Sequence, residues 1–319
     1  MSERQEPPTL TLRNAWALAI VAHLFWGYLG PGAKVLLDVW PPWTLNAVRL
    51  GIATVALMFI YGRDETVYGL KALLVDKHLM ILGVVGVGIT FQLYFVSLLT
   101  IEATAAAVLI FLAPFLTAVL ARLFIGEPIG LHLVVAATAT FIGAWLALFG
   151  ATWEGLRIVS PAVRLGLLIN LGSVFLWSVY TTHLRVISPR YPTGRLTIAT
   201  FTAATALYVV NALIVEWGEV SSSAVLSPVP LLHLVLYIAV PSIGAYLLYT
   251  RSITRIGAGP ITILLGLELL ATAILAHFLL GERFPPARVF GLFLAAVSVA
   301  WFVWMQTRVA EEATAEPVG

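Results

Sequence analysis

Ten apolar stretches run through this chain, at about residues 15–37, 43–61, 79–99, 103–124, 131–149, 165–184, 196–216, 231–250, 259–280 and 286–304. A helix needs roughly 20 apolar residues to cross a hydrocarbon core of about 30 Å, so each stretch is near that length. Lipid offers no partner to backbone N–H and C=O groups, and a helix satisfies both within one segment. The chain has 60% hydrophobic and 11% charged residues over 319 positions and a mean hydropathy of +0.97. Such a composition has the bilayer as its solvent. The expectation is an all-α integral membrane protein with ten transmembrane helices joined by short loops.

Between the runs lie helix breakers and charges: "DVWPPW" at 38–43, a charged loop at 61–78, "GEPIG" at 126–130, "SPRYPTGR" at 188–195 and "GERFPP" at 281–286. The polar N-terminus "MSERQEPPTLTLRN" leads into "GPG" with no small-residue cleavage site, so the first helix reads as retained rather than as a signal peptide. With the N-terminus inside, Arg4, Arg13, Arg63, Lys71, Lys77, Arg122, Arg185, Arg190, Arg195, Arg251, Arg255 and Arg308 are cytoplasmic. Lys34, Arg157, Arg164, Arg283 and Arg288 lie opposite. Twelve against five is a positive-inside bias that puts both termini in the cytoplasm. The expected membrane is the cytoplasmic (inner) membrane.

A repeat organises the runs. An offset of 155 residues lays Tyr94 on Tyr249, Ser97 on Ser252, Thr117 on Thr272, Gly126 on Gly281 and Glu127 on Glu282, so that "TAVLARLFIGE" meets "TAILAHFLLGE". Five spans per half is an odd number, so the second half enters the membrane the other way up. That is an inverted repeat, with a solute site expected near the midplane between the halves. The divisions are a tail at 1–14, a first unit at 15–149, a linker at 150–164, a second unit at 165–304 and a C-terminal tail at 305–319, both tails cytoplasmic.

With "LFWGYLGPGAKVLL" in the first span, "NAVRLGIA" in the second, "FLWSVYTTHLR" in the sixth and the two elements ending in Gly-Glu, the chain resembles the EamA-type ten-helix members of the drug/metabolite transporter superfamily over about residues 15–304. The resemblance implies two five-helix halves around a central cavity, alternating access, and movement of small metabolites such as amino acids, often by exchange or proton coupling. One departure stands out. The resemblance leads one to expect an acid followed by proline in the ninth span, but Leu269 follows Glu268, while Pro114 holds the matching place in the first half. A helix break in the ninth span is therefore not indicated.

Helical spacing sorts the polar residues onto faces. His23, Gly27, Gly30 and Lys34 form a stripe bordered by Trp26; Asn170, Ser173, Trp177 and Thr181 form another beside Tyr180; Thr90, Tyr94 and Ser97 a third; Ser242, Tyr246 and Tyr249 a fourth. Polar faces turn away from lipid, either to line a cavity or to hold helices together by hydrogen bonds. Arg49, inside the second span, needs a partner, either in a structural ion pair or as a substrate carboxylate. Glu268 lies near the middle of the ninth span, one helical turn from Thr272, and is either a proton-coupling and substrate site or a permanent structural pair. Glu127 and Glu282 read as turn or capping residues at helix ends.

Other classes are disfavoured. The net charge is +2 and the basic residues are scattered, which offers no nucleic-acid surface. There is no cysteine, so disulfides and thiolate metal sites are excluded. Six histidines are spread without an HExxH pattern, and no loop is long enough for a nucleotide site, so neither metal, cofactor nor enzymatic chemistry is expected. The reading is a secondary transporter, an exporter of amino acids or related amphipathic solutes. Quaternary amines or drug-like cations are the alternative cargo, and a scaffold, scramblase or membrane enzyme is the alternative class. The partners expected are the bilayer and a small solute, with proton coupling and oligomeric state left open.

Overall fold

The computed structural model describes residues 10–149, 160–218, 227–283 and 286–315. Ten helical segments follow one another: α1 (Leu12–Leu37), α2 (Pro42–Val75), α3 (Lys77–Leu98), α4 (Ala103–Ile125), α5 (Leu131–Phe149), α6 (Pro161–Ile187), α7 (Thr193–Val215), α8 (Pro228–Ile256), α9 in two pieces (Ala258–Thr262 and Leu265–Leu280) and α10 (Pro286–Ala315). Among the described residues, seven helices are long and apolar enough to span a membrane by length and composition, and shorter apolar helices cover Leu131–Gly143, Leu265–Leu280 and Val289–Phe302.

Local sequence explains the interruptions. Pro31 lacks the N–H that would bond to the carbonyl of Gly27, and α1 breaks at Gly27–Tyr28. In α4 the helix tightens to 3-10 geometry at Ile110–Leu112, just before Pro114. In α9, Ile263 and Leu264 donate to Pro260 and Ile261, three residues back, so the chain tightens there as well. The ninth span is therefore broken after all, upstream of Glu268 and without a proline behind it.

The segment 61–78, expected as a charged loop, is largely helical. Gly62, at φ 80 and ψ 178, kinks α2; beyond it the helix continues to Val75, with Leu74 and Val75 exposed. The expected C-terminal tail from 305 is likewise helical through Ala315. Residues 1–9, 150–159 and 316–319, which hold most of the N-terminal tail, most of the linker and the chain end, lie outside the described residues.

The halves pack as inverted copies. Helices of equal rank meet across the centre, α2 with α7, α4 with α9 and α5 with α10; α1 packs on α8 as α6 packs on α3. Local marks repeat with them. A π-helical stretch interrupts α3 at Leu82–Ile89 and α8 at Ile238–Gly244. Gly126 and Gly281 take left-handed backbone at φ 72 and φ 69, and the next N–H closes the helix in both, Glu127 to Ala121 and Glu282 to Ala276, each at 3.2 Å. A side chain at either glycine would strain that turn.

Polarity is inside out, as a bilayer requires. Phe59, Leu123, Phe124, Ile214 and Phe278 are exposed, while Asn46, Arg49, Gln92, Asn170 and Glu268 are buried. Two ionic contacts pin α2 against α7 at its ends. The Glu216 carboxylate accepts from the N–H groups of Trp43 and Thr44 at 3.0 and 2.7 Å, a negative charge at a helix N-terminus. At the other end Arg195 makes a bidentate bridge to Glu65 at 2.7 and 2.9 Å.

Candidate functional site

Between the halves lies a narrow cavity of about 20 Å³, lined by Trp26 and Leu29 of α1, Thr90, Phe91 and Tyr94 of α3, Ile110 of α4, Asn170, Ser173, Val174 and Trp177 of α6, and Glu268 of α9. Three polar wall residues are tied to a neighbouring helix. Trp26 ends the first piece of α1, and its indole N–H donates to the carbonyl of Pro241 at 3.1 Å, inside the π-helical stretch of α8. Its ring is thereby fixed and meets Trp177 edge-on, with centroids 5.3 Å apart. Ser173 donates to the Thr90 carbonyl at 2.8 Å, which ties α6 to α3. Asn170 donates to Ser97 Oγ at 2.9 Å, and Ser97 donates to the Tyr94 carbonyl at 2.6 Å. This leaves the Asn170 Oδ1 buried and without a donor.

Glu268 is the acidic group of the wall. It occupies the first turn of the longer α9 piece, where the helix dipole is positive and favours a carboxylate. It is 6% exposed, and among the described residues no hydrogen bond or ion pair reaches its side chain. The sequence leaves open whether this acid has a permanent partner; the geometry provides none.

His23, Tyr180, Tyr246 and Tyr249 do not line the cavity but plug it. Tyr249 packs 4.9 Å from Trp26 and 5.7 Å from Trp177, and its hydroxyl is 3.1 Å from that of Thr181. Tyr246 lies 5.5 Å from Trp26, Tyr180 5.2 Å from Trp177, and His23 5.8 Å from Tyr249. These rings sit toward the start of α1 and the ends of α6 and α8, so they close the cavity on the face that carries the termini.

Two predicted residues lie elsewhere. Arg49 is fully buried but has no acid beside it among the described residues. Its Nε donates to Asn46 at 2.8 Å, its Nη1 to Ser242 at 3.0 Å, and its guanidinium faces the rings of Phe95, Phe91 and Tyr237 at 5.0, 5.4 and 5.4 Å. An amide, a hydroxyl and aromatic faces surround it in place of a structural ion pair, while its Nη2 is buried without a hydrogen-bond partner. Thr272, expected to share the cavity face of Glu268, instead donates to the Gly27 carbonyl at 3.1 Å.

Sequence reasoning did not single out Leu29, Phe91, Ile110 or Val174, because an apolar residue in an apolar helix carries no mark. Helical spacing offers a weak signal, since Phe91 is three residues from Tyr94 and Val174 four from Asn170.

The EamA-like transporter family matches this chain twice, over residues 14–149 and 164–304. The chain belongs to the EamA-like transporter family. It is 23% identical over 275 residues to an uncharacterized transporter of Haemophilus influenzae, covering 85% of each protein. It is 24% identical over 301 residues to the uncharacterized transporter YyaM of Bacillus subtilis, covering 90% of this chain and 92% of that one. A solved structure described only as the crystal structure of a protein superposes with a TM-score of 0.74 at 19% identity, covering 93% of this chain and 99% of the other; this likeness speaks for the fold alone. The doubled match of the EamA-like family coincides with the inverted packing, and the protein is a multi-pass membrane transporter.

Proposed function

We propose that this protein is a secondary active transporter that exports small amphipathic solutes bearing a charged nitrogen, foremost amino acids with apolar or aromatic side chains, by alternating access. The observation that carries this reading is Glu268, a buried carboxylate in the wall of an aromatic cavity, with no hydrogen bond or ion pair to its side chain among the described residues. A buried charge of this kind calls for a counter-charge, and a solute ammonium supplies one. Trp26, Phe91 and Trp177 add apolar area and cation–π attraction, about 0.5–2 kcal/mol per contact. In this conformation the cavity has room for about one water, so a solute enters only as the halves move apart.

The free Asn170 Oδ1 separates primary ammonium from quaternary amine. It accepts an N–H, which a primary ammonium has and a quaternary amine lacks. The Tyr94 hydroxyl is available to donate to a carboxylate on the same solute. The basic residues favour cytoplasmic termini in the inner membrane, and accumulation is driven by protons or by exchange.

Thermal stabilisation of the purified protein by phenylalanine, tryptophan and leucine, with no response to choline and half-maximal effect at about tenfold higher concentration in Glu268→Gln, is the expected result. Stabilisation by choline alone would transfer the site to quaternary amines. No saturable response to either class would favour a scaffold or scramblase.

A further inference from the structure

Glu127 and Glu282 close equivalent left-handed turns at the ends of α4 and α9, yet neither side chain stays within its own half. The Glu127 Oε1 accepts from Arg185 Nε on α6 at 3.1 Å and lies 3.4 Å from the N–H of Ala258, the first residue of α9. Arg185 Nη1 also donates to the carbonyls of Ile253, at 3.1 Å, and Thr254 at the end of α8. In the other half the Glu282 carboxylate accepts the hydroxyl of Thr104, the second residue of α4. Each acid therefore joins the end of one fourth helix to the start of the other. Because α4 and α9 run in opposite directions, the two contacts lie at opposite membrane faces with the cavity between them.

We propose that Glu127 and Glu282 are paired latches: release of Glu127 opens the cavity to the face carrying the termini, and release of Glu282 opens it to the opposite face. The proposal rests on the alternating-access reading and adds the contacts that must break in each direction. Rocking that parts the end of α4 from the start of α9 breaks the Glu127 contacts and leaves those of Glu282 intact, and the reverse motion does the opposite. The bonds suit repeated breaking. The side chains of Arg185 and Glu127 are 30% and 22% exposed, so water replaces either partner when they separate, and ion pairs of this kind are weak. The latches are unequal in one respect, that the aromatic plug lies on the Glu127 side.

The absence of cysteine permits a direct test. Ser173→Cys places one thiol in the cavity wall, and its labelling by a membrane-impermeant maleimide is measured in vesicles of both orientations. Glu127→Gln should raise labelling from the terminal face about threefold, the scale on which losing one partly exposed ion pair shifts a two-state equilibrium, without raising it from the other. Glu282→Gln should do the reverse. Arg185→Gln removes the ion pair to Glu127 and Thr104→Val the hydroxyl bonded to Glu282, each from the partner's side, and they should reproduce the two results in direction even where an acid variant folds poorly. Labelling that rises equally from both faces, rises from the wrong face, or does not change in any variant would overturn the proposal. No substrate is needed, so side-specific release in a protein that carries none of the proposed solutes would support the latches while removing the substrate assignment.

Discussion

Thr272 on α9 donates its hydroxyl to the carbonyl of Gly27 on α1 at 3.1 Å, where the missing N–H of Pro31 leaves that oxygen without its helical donor. A residue of the second half thus completes the backbone of the first, beside the cavity rather than in it. The break in α1 persists because a neighbouring helix satisfies it, the arrangement that lets proline survive inside membrane helices. Close approach allows the bond: a Cβ on Gly27 would stand 2.3 Å from the Cβ of Ala271.

Thr272→Val keeps the shape and leaves the Gly27 carbonyl buried without a donor, at a cost of about 1–3 kcal/mol. Thermal unfolding in detergent should show that loss for valine and near-normal stability for Thr272→Ser. An equal loss for serine would mean that the threonine methyl, not the hydroxyl, holds the two helices together.

Arg49 links α2 to α8 through Ser242, and its Nη2 is buried without a hydrogen-bond partner. Lysine there keeps the charge but cannot reach Asn46 and Ser242 together as the guanidinium fork does. Arg49→Lys should cost at least about 2 kcal/mol, since hydrogen bonds to charged groups contribute about 1.5–3 kcal/mol each, while the folded fraction binds solute with unchanged affinity. A stable lysine variant with weakened solute binding would move Arg49 into the substrate site.

Helix positions were legible in the sequence because lipid forces a simple pattern, apolar runs of fixed length with the polar residues gathered on one face. The repeat was legible because Gly126 and Gly281 impose the same turn on both halves, and the isolation of Glu268 among leucines marked it before any fold was known. The partners were not legible. Arg49 announces that it needs company, but amides and ring faces serve as well as an acid, and only packing decides between them. Thr272 looks like a cavity residue until the break in α1 exposes a carbonyl beside it. The Gly-Glu elements read as turns, whereas their reach into the opposite half depends on how the halves meet. The tightening of α9 at Ile263–Leu264 has no proline after Glu268 to announce it.

Asp76, at the start of α3, accepts the His78 N–H at 2.8 Å and the Tyr191 hydroxyl at 2.7 Å. Desolvation alone would raise its pKa, but those bonds and the nearby charges of His78 and Arg190 outweigh it and hold the carboxyl below its ordinary value. A depressed folded pKa gives stability that is complete above the unfolded value, about 3.9, and is lost as pH falls through the folded one. Asp76→Ala, which also removes a helix cap, should cost about 1 kcal/mol at neutral pH. The gap from the wild type should stay flat down to about pH 5 and narrow below about pH 4. A gap that closes between pH 7 and pH 5 would assign the stabilisation to another group.

Glu268 combines burial, a place in the first turn of the longer α9 piece and, among the described residues, the lack of a hydrogen bond or ion pair. A purely structural acid would be hydrogen-bonded, because a buried charge left alone is costly. An acid that serves the transport cycle must be free to exchange a proton for a solute ammonium as the cavity turns from one face to the other. Glutamine keeps the size and one carbonyl acceptor but can neither carry charge nor release a proton. Glu268→Gln should therefore fold as the wild type does, since no hydrogen bond or ion pair among the described residues is lost. It should retain slow solute-for-solute exchange across proteoliposomes, with affinity for ammonium-bearing solutes lowered about tenfold, the effect of losing roughly 1.4 kcal/mol from one charged contact. Accumulation driven by an imposed pH gradient should disappear. Full pH-driven accumulation in the variant would exclude Glu268 as the coupling group, and failure of the glutamine protein to fold would return it to a structural role.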